Sequence, residues 1–137
     1  MTNWPRFHDG KLLGMLNVKG SSYLYIEGED PGSKFTVVLA GVSESIMYDF
    51  LYGNIISHAT LTEIQEANYM KIFDIFANST QSGYFNGSEK RFKQYAEKNF
   101  KLFSIEPSYG AVCQVICEKA SICDQFFVPE AFRIELR

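Results

Sequence analysis

The sequence predicts an α+β domain: an antiparallel sheet of five or six strands with two or three helices on one face. Three observations carry that expectation. The first forty residues alternate β-branched and aromatic runs with glycine-containing turns. Residues 43–53 and 88–100 instead place apolar side chains at helical spacing, and Thr60–Glu63 carries a helix-capping pattern. No internal repeat or linker interrupts the 137 residues, so 1–137 reads as a single domain.

The meander comes first. Leu12 to Val18 is an apolar run, Lys19-Gly20-Ser21-Ser22 a flexible turn, and Tyr23-Leu24-Tyr25-Ile26-Glu27 a second strand. Glu29-Asp30-Pro31-Gly32-Ser33 forms the next turn, because Pro presets φ and Gly tolerates positive φ. Phe35 to Leu39 follows as a third strand, ended by Gly41.

Helical signals begin at Ser43, an N-cap residue before Glu44. Ile46, Met47, Phe50 and Leu51 mark an apolar face there, which places Phe50 in the core. Gly53-Asn54 closes that helix. Thr60-Leu61-Thr62-Glu63 fits a capping box and opens a second helix that fades near Asn68. Tyr69 to Phe76 reads as a fourth strand, and residues 78–87 as a polar loop. Ser88 opens a helix to about Phe100, with Phe92, Tyr95, Ala96 and Phe100 on one side. Ala111 to Cys117 fits either a buried strand or a helix, and the structure of 105–128 stays open at this level. Beyond Pro129, Phe132 to Leu136 alternates as a final strand.

Composition narrows the function classes. Hydrophobic residues make up 46% and charged residues 21%, which is globular composition rather than disorder. The net charge of −3 argues against a dedicated nucleic-acid binder. No apolar run is long enough to span a membrane, and Met1 to Gly10 lacks a secretory pattern. Three cysteines without an even partner number point to reduced thiols and a cytoplasmic setting.

Candidate chemistry is sparse. Cys113, Cys117 and Cys123 follow C-x3-C-x5-C, which matches neither zinc nor iron–sulfur spacing, so no metal is expected. In a strand, Cys113 and Cys117 share a face and act as small core residues. His8 beside Asp9, and His58 in a helix-entry loop, lack a catalytic neighbourhood. No nucleophile elbow, P-loop or dinucleotide fingerprint occurs, so neither a catalytic residue nor a cofactor is assigned.

Charge is unevenly placed. Residues 1–87 hold five basic and nine acidic groups, whereas 88–101 hold five basic and two acidic ones. The acidic turn, Glu27, Glu29 and Asp30, with nearby Tyr23 and Tyr25, is the expected partner-binding surface. Aromatics supply interface area at little entropic cost, and carboxylates steer a basic partner. The alternative site is the basic helix 88–101, where Lys90, Arg91 and Lys93 together with loop 78–87 meet a phosphate, a small ligand or a nucleotide.

His8-Asp9-Gly10-Lys11-Leu12-Leu13, then Tyr23-Leu24-Tyr25-Ile26, a third strand, and Ser43-Glu44-Ser45 opening a helix that closes at Gly53-Asn54-Ile55 resembles a group of small uncharacterised bacterial domains over residues 7–76. That resemblance implies an α+β sheet and no catalytic site. At the level of class, a small, acidic, aromatic-rich and motif-poor chain is similar to immunity or anti-defence proteins of bacteria or phage. These neutralise a toxin or effector by covering its active surface. The expected function is therefore a non-enzymatic binding protein; the alternative is a small-ligand or nucleotide-binding domain, with or without enzymatic activity. The partner's identity and the oligomeric state are not legible here.

Overall fold

The computed structural model describes residues 7–65 and 88–130. Their architecture is almost entirely sheet. The strands are β1 (Lys11–Val18), β2 (Ser21–Glu27), β3 (Lys34–Ala40), β4 (Glu44–Tyr48), β5 (Asn54–Glu63), β6 (Lys101–Tyr109), β7 (Val112–Cys117) and β8 (Lys119–Cys123). The described residues contain one helix, α1 (Ser88–Glu97). All eight strands join one antiparallel sheet in the order β4-β7-β6-β5-β1-β2-β3-β8. The expected five or six strands with two or three helices are thereby corrected.

That order joins its own ends. β3 leads into β4, and β7 into β8, while β3 pairs with β8 and β4 with β7. The ladder crosses the bend between them, because Glu118 N donates to Ala40 O at 3.0 Å and Ser43 N to Ile116 O at 2.9 Å. Gly41 sits in this bend at φ +63°, where a Cβ would lie 2.5 Å from the Glu118 carboxylate. The sheet therefore comprises two meanders, β1-β2-β3 and β5-β6-β7. They are seamed on one side by the β3–β4/β7–β8 ribbon and on the other by a short β1–β5 contact. The short seam has two paired positions, Lys11↔Ile55 and Leu12↔Asn54, continued by Ile56 N donating to Gly10 O.

The interior follows from strand alternation. Leu12, Leu24, Ile26, Val37 and Leu39 of the first meander meet Ile56, Phe103, Ile105, Cys113, Val115 and Cys117 of the second. Ile46, Ala96 and Phe100 pack with Phe92, Tyr95, Leu102 and Ile116 in a second cluster beneath α1. Residues 102–105 of β6 and 115–117 of β7 are thus buried on both faces.

Expectations for 12–18, 23–27 and 35–39 hold as strands, and the first hairpin closes on Lys19-Gly20. Both residues have positive φ (48° and 80°), as a two-residue hairpin loop that follows the strand twist requires. The helix expected at 43–53 is instead strand β4 followed by a turn. Ile46 packs under α1 while Met47 packs on the interior. Neighbours on opposite faces define a strand, and β7 supplies its ladder. Phe50 is correspondingly not a core residue: it stands 46% exposed. The capping box at Thr60–Glu63 lies in β5, where pairing with β6 (Thr60↔Ser104, Glu63↔Lys101) overrides the local helix signal. The ambiguous run 111–117 is strand β7, and 101–109 and 119–123 are strands as well. The helix at 88–100 is present as α1. The strands expected at 69–76 and 132–136, the remainder of the second helix and the loop 78–87 lie outside the described residues.

Candidate functional site: an uncapped apolar face

The outer face of the first meander carries the chain's unusual surface. A β-bulge between Leu12 and Gly14 leaves Leu13 as the extra residue of β1, with no partner in the β2 register and on the outer face. Leu13 is 46% exposed and divides two grooves. The larger, about 720 Å³, runs between Leu13, Lys11 and Glu27 on one side and Phe50, Leu51 and Tyr52 on the other. The smaller, about 300 Å³, is lined by Gly14, Leu16, Tyr25, Phe126 and Val128. A Cβ built on Gly14 would touch nothing, so that glycine leaves the groove floor bare.

Two devices hold the walls. The β4–β5 turn is fastened by Asn54, which is buried and uses its whole amide. Its Oδ1 accepts from Leu51 N (2.7 Å) and Ala111 N (3.0 Å), and its Nδ2 donates to Leu51 O (2.7 Å) and Leu12 O (3.2 Å). Leu51 and Tyr52 are thereby presented on a pinned turn, Tyr52 fully exposed. On the opposite wall, the segment after β8 crosses back over β3 and β2. Buried Thr36 accepts from Phe127 N (2.9 Å) and donates to Gln125 O (2.8 Å), and Tyr25 Oη donates to Phe127 O (2.7 Å).

The expected acidic surface is partly regrouped. Glu27 lines the larger groove, and Glu29 and Asp30 are exposed in the turn beyond it. Tyr23 and Tyr25 lie beneath the returning segment, against Phe127 and Phe126, with centroids 6.0 and 5.7 Å apart. Burial, with Tyr23 alongside, raises the Tyr25 phenol above its ordinary value. These tyrosines are floor and wall; Leu13, Phe50 and Tyr52 are the exposed apolar groups. The bulge at Leu13 has no signal in residue type. Phe50 and Tyr52 stand out as aromatics in the sequence, but helical spacing over 43–53 points Phe50 to the core.

The alternative basic site is built differently. Lys90 and Lys93 are exposed on α1, but Arg91 turns to the sheet and meets Glu44 at 2.6 Å. Tyr95 Oη donates to Glu44 at 2.8 Å and lies 2.6 Å from Ser43 Oγ. Burial lifts the Glu44 carboxyl above its ordinary value, although Tyr95 and Arg91 pull it down. Burial also raises Tyr95. This cluster fastens the helix, with Glu44 as its hub.

The remaining reactive groups fall into two places. Cys113 and Cys117 share the interior face, where burial pushes their thiols up to about 12 and about 11; a thiol so raised is a poor nucleophile. All three cysteines are unpaired. His8 and His58, distant in sequence, come together at the β5 surface with ring centroids 6.3 Å apart. His8 Nδ1 donates to Ser57 O (3.0 Å), and His58 Nδ1 lies 2.8 Å from Ser57 Oγ. Among the described residues no group of three or more His, Cys, Asp or Glu is placed to hold a metal ion, and no helix is long and apolar enough to cross a membrane. No protein-family model matches this chain, and no curated protein or solved structure is significantly similar to it.

Proposed function

We propose that the chain is a non-enzymatic protein-binding module whose contact surface is the uncapped face around Leu13. The observation that carries this reading is the concentration of exposed large apolar side chains. Of the nine among the described residues, seven belong to this face or its walls: Leu13, Phe50, Leu51, Tyr52, Phe126, Phe127 and Val128. Exposed apolar surface of this extent, held rigidly rather than on a loose loop, lowers the ordering cost of binding. The acidic turn beside it adds steering toward a basic partner. An immunity or anti-defence role in the cytoplasm, neutralising an effector by covering its surface, fits such a face and the three unpaired thiols. The nucleotide-binding alternative is weakened because Arg91 is engaged by Glu44.

The test is affinity capture from the source cells with four proteins: wild type, Leu13→Ser, Tyr52→Ser, and the pair Lys90→Glu/Lys93→Glu. The reading expects one captured protein to be retained by wild type and the lysine pair and lost with the two face variants. Retention by the face variants with loss in the lysine pair overturns it.

A further inference from the structure

Resting on that reading, we infer that the uncapped face takes an amphipathic polypeptide segment with two apolar anchors, one on each side of Leu13, and a Lys or Arg directed at the Glu27–Asp30 turn. The anchors follow from the grooves. Leu13 lines both depressions, the smaller almost wholly apolar and the larger walled by Phe50, Leu51 and Tyr52 with Lys11 and Glu27 at its rim, so a ligand filling both carries two apolar groups that straddle Leu13. The charge follows from the rim. The segments that build the face (11–16, 25–34, 49–53 and 124–128) hold five carboxylates, Glu27, Glu29, Asp30, Asp49 and Asp124, against Lys11 and Lys34. Lys11 stands opposite Glu27 in the β1–β2 register, and Lys34 Nζ lies over the Phe126 ring at 5.4 Å. Carboxylates therefore outnumber cations on this face, and Glu29 and Asp30 are exposed in the turn beyond the larger groove. An anionic membrane surface is disfavoured by the same carboxylates.

The probe is a short fluorescein-labelled amphipathic Leu–Lys peptide, titrated by anisotropy beside a Leu–Glu and a Ser–Lys counterpart. The Leu–Lys peptide is expected to bind at least about tenfold more tightly than either counterpart, and to weaken as salt rises. Gly14→Phe, which fills the smaller groove from its open floor, and Glu29→Lys/Asp30→Lys are each expected to weaken it at least about tenfold while the thermal midpoint stays in place. Lys90→Glu/Lys93→Glu leaves binding unchanged or stronger.

Equal affinity for Leu–Lys and Leu–Glu, or an undiminished affinity in Gly14→Phe, overturns the inference. So does binding to phosphatidylglycerol vesicles that Leu13→Ser abolishes, or a concentration-dependent dimer that the same substitution abolishes. If the peptides fail while face substitutions still abolish capture, the partner chemistry is wrong and the contact surface stands. If capture survives the face substitutions, the surface itself is wrong.

Discussion

The two outer faces of the sheet are made from similar strands and finished in opposite ways. On the β5-β6-β7 meander, α1 lies over Leu102 and Ile116 and buries Phe92 completely. On the β1-β2-β3 meander, residues 125–128 lie over Tyr23, Tyr25 and Thr36, and Leu13 stays 46% exposed. The difference lies in how polar groups are disposed. Glu44, half-buried at the edge of the capped face, has Arg91 and Tyr95 brought to it by the helix, which orients α1 as well as attaching it. The buried polar groups at the open face, Asn54 and Thr36, instead fasten a turn and the returning segment at its margins, and its grooves are almost wholly apolar near Gly14 and carry Lys11 and Glu27 at the other end. One face has spent its apolar surface on stability, and the other has it left for a partner.

Paired truncations give the largest test of that contrast. Phe92→Ala, beneath the helix, is expected to cost about 3–5 kcal/mol, whereas Phe50→Ala on the open face should cost no more than about 1 kcal/mol. Urea titration of both variants measures the gap; equal losses would erase the distinction between the two faces.

Asn54 tests whether the open face is rigid. Its amide makes four hydrogen bonds across the turn, β1 and the β6–β7 connection. Asn54→Ala is expected to lose at least about 2 kcal/mol, since buried backbone groups are left unpaired. Hydrogen exchange at Leu51 and Ala111 should accelerate with it, while α1 keeps its protection.

Much of the first meander is legible in the sequence alone. Leu12, Leu24, Ile26, Val37 and Leu39 alternate as their strands demand, and Phe92 and Tyr95 keep helical spacing on α1. The open face was not legible in the same way. Its central residue is the extra residue of a bulge, and Phe50 lies in a turn whose flanking sequence mimics a capped helix.

A smaller effect concerns pH at the capped face. Native Glu44 holds its proton more tightly than the unfolded chain does, because burial raises its carboxyl above the ordinary 4.5. Stability therefore falls as pH rises from the ordinary glutamate range through the raised native value. Glu44→Gln should flatten that slope between acid and neutral pH, and a slope unchanged from wild type would remove Glu44 as its source.

The smallest expected effect is at Ser104, on β6 between the two clusters. Its hydroxyl is buried with no hydrogen-bond partner. Ser104→Ala should leave stability unchanged or raise it by up to about 1 kcal/mol, because an unsatisfied buried donor is removed. A clear loss in thermal midpoint would reveal a partner for that hydroxyl.

The sequence by itself determined the strands whose alternation and turn chemistry agree, the helix α1 with its inward aromatics, and the Cys113–Cys117 spacing that puts both thiols on one face. Each of these is set by neighbours within a few residues. Only the tertiary structure decided β4 and β5, since an edge ladder on β7 or β6 outweighs a local cap or a helical repeat. It alone brought His8 to His58, joined Glu44 to Arg91 and Tyr95, and left Leu13 uncovered between two grooves. Those outcomes depend on which strands become neighbours when the sheet joins its own ends, and that pairing is a property of the whole chain.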